Sequence, residues 1–302
     1  MITRWFKMST RNIGVFGSVI RWTILLIFLI YFVIPMIWLV LAPSKNTAQF
    51  TGLNPMGFGS FSQYFIAWKN VLTYQSGEVF LWFRNSFLYV VLSLLVGLAV
   101  GLPAGYALAI LKFPGKSLLL WLTLITMLLP SSALVLPTFM ELNLVHLVNT
   151  PWAVILPACF FPFGVYLTYI YYHSTLPPEL IDAARVDGAS EFKVFLRIAL
   201  PLAKPLLGLL AFISFNANWN NYFGPYVLLN DDKLFTLPVG IQTVLASTSA
   251  LQPGFNPNPG AIHFTYAEAA VAGLIMILPV VIIFILSQRY VLSGAFTGSV
   301  KS

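Results

Sequence analysis

The stretch Leu176–Pro205, LPPELIDAARVDGASEFKVFLRIALPLAKP, is a charged island in an apolar chain. It holds Glu179, Asp182, Arg185, Asp187, Glu191, Lys193, Arg197 and Lys204. Pro177 and Pro178 suit the first turn of a helix, where the missing N–H costs nothing. Glu179 and Asp182 follow in the first turns, where the helix dipole favours negative charge. Leu180, Ala183 and Ala184 make a small apolar strip at helical spacing. Gly188 can take the left-handed conformation that ends a helix, and Ser190 can cap a second one. Phe192, Phe195, Leu196 and Ala199 recur as one apolar face, with Arg197 off it. Pro201 and Pro205 then mark entry into a new apolar run. The island therefore reads as two short helices joined by a sharp turn. A helix lying on a membrane surface would carry a lysine-rich polar face. The first helix here is net acidic, which suits a groove on a protein.

The rest of the chain explains the setting. Of 302 residues, 59% are hydrophobic and 8% charged, against roughly 25% charged in a soluble domain. This is the composition of an all-α integral membrane protein. Residues 1–21 carry Arg4, Lys7, Arg11 and Arg21 and form a cytoplasmic N-terminus, and 22–42 form the first span. That run is too long for a signal-peptide core, and Pro43 occupies the place a cleavage would need. Residues 43–80 form an extracytoplasmic segment with short amphipathic helices. Residues 81–302 then hold five more spans and the loop at 176–205. Span two, 83–111, carries Gly97, Gly101 and Gly105 on one face, which lets a neighbouring backbone approach closely; Pro103 should kink it. Span three, 118–140, should bend at Pro130 and Pro137. Span four is 151–172, span five 206–226 and span six 267–286. A second outside segment, 226–266, includes the Pro/Gly/Asn-rich stretch 252–260. With the N-terminus inside, twelve of the 16 Lys and Arg residues fall on inside segments, the asymmetry expected of a multi-pass protein with both termini cytoplasmic.

Several chemistries are excluded. One cysteine, Cys159, allows no internal disulfide, and three scattered histidines make no recognisable metal site. Gly115-Lys116-Ser117 ends like a phosphate-binding loop, but Ile110 stands where that motif needs glycine. No catalytic, cofactor-binding or metal-ligating set is expected; any ATP must bind another chain.

The island carries a resemblance. Asp182-Ala183-Ala184, three residues, Gly188, nine residues, then Ile198-x-Leu200-Pro201 resembles the EAA loop of ABC importer permeases, with Asp182 in place of the glutamate. The likeness extends from about Arg84 to Ser302. With Trp219-Asn220 and Gln288-Arg289-Tyr290 it is similar to the carbohydrate-uptake branch, the six-span permease subunits of maltose-type importers. The resemblance implies a type I ABC importer permease fold with a cytoplasmic coupling helix in a bacterial or archaeal cell membrane. It implies docking on an ATPase subunit by Glu179, Asp182, Ala183, Ala184, Arg185, Asp187 and Gly188. The implied partners are a second permease subunit, an ATPase dimer that binds ATP and Mg, an extracytoplasmic solute-binding protein, a carbohydrate and membrane lipid, with no nucleic acid. Polyol phosphates, peptides or amino acids are the alternative cargo. An ion-coupled transporter working alone would place ionisable groups within its spans, and these interiors nearly lack them.

Asn216, Trp219 and Asn220 are candidates for a substrate path. Asn216 lies roughly 16 Å along span five from Pro205. Its amide and that of Asn220 share a helix face. Amides suit sugar hydroxyls, and an indole can stack on a pyranose; interhelical packing is the competing role. Glu268, near the outer end of span six, is a further pore candidate or an edge residue in water.

Overall fold

The structure is a computed structural model describing residues 15–52, 54–246 and 264–296. Arg4, Lys7, Arg11, Lys301 and the 252–260 stretch lie outside these residues. The described residues include the helices α1 Val15–Leu41, α2 Thr47–Gly52, α3 Phe61–Thr73, α4 Glu78–Ile110, α5 Lys116–Leu128, α6 Ser131–Leu144, α7 Pro151–Cys159, α8 Pro162–Thr175, α9 Pro178–Val186, α10 Glu191–Leu202, α11 Lys204–Trp219, α12 Phe223–Leu228, α13 Leu237–Ala246 and α14 Tyr266–Phe296. Among the described residues there is no strand. Four segments are long and apolar enough to cross a membrane: 17–44, 78–110, 151–175 and 266–290. Two bent helix pairs, α5–α6 and α10–α11, bring the count to six, the number expected.

Prolines decide where these spans break. A residue before proline is driven from helical to extended backbone. Leu129, before Pro130, has ψ 128°, and the axis turns by 107° between α5 and α6. Span three is thus broken at Pro130, while Pro137 sits inside α6. Phe161, before Pro162, has ψ 69° and separates α7 from α8. Pro201 and Pro205 remove two donors from one side of the chain. A single wide turn at Phe195–Ala199 and a 79° bend at Ala203 result. Pro103, Pro157 and Pro279 by contrast lie within continuous helices; the kink expected at Pro103 does not break α4. The fifth span is shorter than expected: α11 ends at Trp219, and Phe223 opens a separate helix.

The chain divides into two compact units, 1–71 with 248–274, and 72–247 with 275–302. In the first, Glu268 is buried at 2% exposure, which corrects its placement in water. Its Oε1 accepts from Asn70 Nδ2 at 2.8 Å, and its Oε2 accepts from the Thr265 N–H at 2.8 Å and from the Thr265 hydroxyl. The Thr265 hydroxyl in turn accepts from the Ala267 N–H at 3.3 Å. This is a capping box at the start of α14, tied to α3. Lys45 is also buried, its Nζ donating to the Pro55 carbonyl at 2.6 Å.

In the second unit α4 is the central helix. Its glycine face packs on α7 and α8 as the spacing predicts. A Cβ on Gly97 would meet the Cys159 carbonyl at 3.1 Å; one on Gly105 would meet Thr168 Cβ at 2.5 Å and the Val165 carbonyl at 2.7 Å. At 33 residues, α4 is about 50 Å long, longer than an apolar layer of about 30 Å.

The α9–α10 loop and the amide cluster of α11

Helix α9 ends as its sequence dictates. Gly188 has φ +78°. The Ala189 N–H donates to the Ala184 carbonyl and the Gly188 N–H to the Arg185 carbonyl, both at 3.0 Å. This paired closure with a left-handed residue is the Schellman arrangement. Nothing lies within 4 Å of a Cβ built on Gly188, so the turn is held by backbone geometry and leaves open space beside it. Ser190 occupies the cap position of α10, but its hydroxyl makes no capping bond.

The two faces of the loop differ from the expected stripes by about one residue. Ile181 faces inward with Ala184, packed against Val194, Phe195, Ala199, Tyr106 and Tyr172. Leu180 is exposed instead, as is Ala183. On α10, Val194 takes the centre of the inner face beside Phe195 and Ala199, and Phe192 is left 69% exposed. Val186 is 88% exposed. Val186 and Phe192 are apolar projections beside Gly188 that the spacing did not reveal, because periodicity ranks faces only when one partner surface is assumed.

The charges divide in the same way. Arg185 Nε donates to Glu191 Oε1 at 2.7 Å and its guanidinium to Asp182 Oδ1 at 3.1 Å. The hydrogen bond it donates to Glu191 pushes the Arg185 pKa up. Arg185 therefore clasps α9 to α10. Glu179 and Asp187 are exposed and have no ion pair among the described residues. Glu191 Oε2 also accepts from the Tyr106 hydroxyl of α4 at 3.4 Å.

At the other end of α11, Asn220 Nδ2 donates to the Asn216 carbonyl at 2.8 Å and to Asn216 Oδ1 at 3.0 Å. Asn220 is exposed and Asn216 half-buried, so the pair presents an amide edge outward. Trp219 points the other way. It is 1% exposed, stacked on Phe215 and edge-on to Phe83, and its Nε1 donates to the Met276 carbonyl at 2.9 Å. Its ring has no free face in this conformation, so the structure uses Trp219 for packing. An open apolar groove of about 400 Å³ lies elsewhere, between α4, α5 and the α7–α8 break. The Thr123 and Thr126 hydroxyls that line it are spent on backbone carbonyls.

One further cluster has no counterpart in the sequence reading. From the Glu78 end of α4, Trp82 Nε1 donates to the Asp232 carbonyl at 2.8 Å, and Asn85 Nδ2 to the carbonyls of Lys233 at 2.8 Å and Phe235 at 3.2 Å. The Ser86 hydroxyl accepts from the Leu237 N–H at 2.7 Å, and the Tyr89 hydroxyl donates to the Leu234 carbonyl at 3.2 Å. Residues 82, 85, 86 and 89 share one helix face, and together they clamp the backbone of 232–237.

A helical chain with several segments long and apolar enough to cross a membrane is a multi-pass membrane protein by class. The chain belongs to the family of binding-protein-dependent transport system inner membrane components, whose model matches residues 101–295. It is 36% identical to an arabinooligosaccharides transport system permease protein of Halalkalibacterium halodurans, over 75% of this chain and 76% of that one. It is 25% identical to a diacetylchitobiose uptake system permease protein of Streptomyces coelicolor, over 94% and 89%. A match to an sn-glycerol-3-phosphate transport system permease protein of Pectobacterium atrosepticum is 30% identical over 70% of each chain. Among solved structures, a bacterial ABC transporter that imports the acidic polysaccharide alginate superposes with TM-score 0.77 at 22% identity, covering 94% of this chain and 99% of that chain. That likeness bears on the fold.

Proposed function

We propose that this chain is one of two permease subunits of an ATP-driven, binding-protein-dependent importer for an oligosaccharide or related carbohydrate. The observation that carries the reading is the α9–α10 loop: a Schellman turn at Gly188, open space around it, and exposed Val186, Phe192, Glu179 and Asp187 beside it. The loop faces the cytoplasm and docks in a cleft of a separate ATPase, which binds ATP and Mg. A second copy of the ATPase docks on the second permease. ATP-driven closure of the two ATPases draws the docked loops together and turns the permease pair from inward-facing to outward-facing. A solute-binding protein delivers the cargo outside, and hydrolysis resets the cycle.

Carbohydrate cargo is supported by the relatives named for arabinooligosaccharides and diacetylchitobiose; others are named for sn-glycerol-3-phosphate. Asn216 and Asn220 line the path, offering amide donors and acceptors to hydroxyls, while Trp219 holds α11 against α14. The broken span supports the second permease. Leu128 to Ala133 is exposed, and open backbone at membrane depth is tolerated only against protein or water. Both termini are cytoplasmic, by the bias of the basic residues.

The test is Gly188→Trp in the complete importer. The left-handed backbone there resists any L side chain, and the indole fills the open space. We expect the ATPase subunit to be lost from the purified complex and uptake to fall to background, with membrane insertion intact. Retention of the ATPase in normal stoichiometry sinks the docking reading.

A further inference from the structure

We propose that Tyr106 is the joint through which the α9–α10 loop moves the rest of the permease, so that loop and α4 travel as one body during the ATP cycle. This rests on the docking reading above and goes beyond it, because docking alone does not say which span receives the force.

Tyr106 lies near the end of α4 next to the loop and is 3% exposed. Its ring is edge-on to Tyr172 of α8, with centroids 5.5 Å apart, and tilted against Phe195 of α10 at 5.3 Å. Its hydroxyl reaches Glu191 at 3.4 Å, and Glu191 is held by Arg185, which is held by Asp182. One side chain therefore touches both loop helices, directly or through one intermediary, and joins them to α4 and α8. Aromatic contacts of this kind stabilise beyond their buried area, and they resist sliding because interiors are close-packed.

The two ring contacts and the carboxylate contact fix α8 and α10 against the end of α4 from more than one direction, so a pull on the loop is passed to α4 without a change in their spacing. Arg185 is a positioning residue in this scheme: it holds Glu191 in place against the Tyr106 hydroxyl.

The experiment uses the complete importer in lipid nanodiscs, with Cys159→Ser and spin labels at Lys193→Cys on α10 and Leu95→Cys on α4. Both positions are exposed. The inter-label distance is measured without nucleotide and after trapping with ATP and vanadate. In the parent we expect one narrow distribution that is the same in both states. In Tyr106→Leu we expect the nucleotide-free distance to be kept and the trapped distance to shift, because the loop is pulled and α4 no longer follows. Tyr106→Phe and Glu191→Gln, which keep the ring packing, are expected to shift it less. A purely structural role would alter both states alike and overturns the proposal. So does a parent distance that already changes on trapping, and so does a Tyr106→Leu complex that behaves as the parent. Should Tyr106→Leu fail to assemble, the parent and the two milder variants still decide. The Gly188→Trp complex separates the two claims: if it keeps its ATPase, docking itself fails; if it loses the ATPase while Tyr106→Leu matches the parent, only the joint fails.

Discussion

The two ends of α4 are fastened in opposite ways. At the Glu78 end, four side chains on one face grip the backbone of residues 232–237. At the Ile110 end, Tyr106 meets the α9–α10 loop through rings and a long contact to one carboxylate, and the loop's own ion pairs are half in solvent. The first arrangement pairs buried side chains of α4 with fixed main-chain groups of another segment, so breaking it costs hydrogen bonds built into the fold. The second is made of side-chain contacts alone: ring packing and one carboxylate. A helix clamped at one end and jointed at the other transmits a movement without losing its place.

The largest effect on stability is expected at the clamp. Asn85 is 5% exposed and serves two carbonyls. Asn85→Leu removes both bonds, a loss of about 3 kcal/mol. A thermal melt of the detergent-solubilised protein should show it, with amide exchange rising across 232–237. An unchanged melt would mean that the 232–237 segment is held by other contacts and that the two ends of α4 are not different in kind.

The contrast also sorts what could be read from the sequence. The loop was legible because its signals are local: Pro177-Pro178 to start, Gly188 to stop, and the prolines that bend α10 into α11 all act within a few residues. The glycine face of α4 was legible for the same reason, since 97, 101 and 105 mark a face whatever packs there. The clamp was not, because its acceptors are carbonyls about 150 positions away, and every residue has a carbonyl. Trp219 stayed open in the sequence, since an aromatic beside Asn216 and Asn220 suits either a sugar or a core; the Met276 carbonyl and the Phe215 ring show what it packs on. Glu268 is a different failure. Thr265-x-x-Glu268 before an apolar run is a capping-box signal, and it stood in the sequence unread.

A middle effect sharpens the comparison. Ser86 is 2% exposed, and its hydroxyl accepts from the Leu237 N–H. Ser86→Ala leaves that donor buried and unpaired at a cost of about 2 kcal/mol. Exchange at the Leu237 amide should rise more than at its neighbours, which keep their bonds to Asn85 and Tyr89. Uniform exchange along 232–237 would show that the clamp opens as a unit.

The smallest effect on stability is expected at Arg185, although its ion pairs are the most visible in the chain. The side chains of Arg185, Asp182 and Glu191 are 39%, 68% and 42% exposed. Exposed pairs of this kind contribute about 0.2–1 kcal/mol each and less in salt, so Arg185→Ala should move the melt by under about 1 kcal/mol. Its consequence falls on coupling instead. Without the clasp, Glu191 is free to turn from Tyr106, and ATP hydrolysis by the complete importer should proceed with less uptake per ATP. Exchanging the charges, Arg185→Glu with Glu191→Arg, restores the clasp between α9 and α10 but places a cation against the Tyr106 hydroxyl. If the clasp alone matters, the exchange recovers uptake per ATP; if the joint at Tyr106 needs a carboxylate, it does not. A melt lowered as far as in Asn85→Leu would instead make the loop end as rigid as the clamp, and the division of α4 into a fixed end and a moving end would fall.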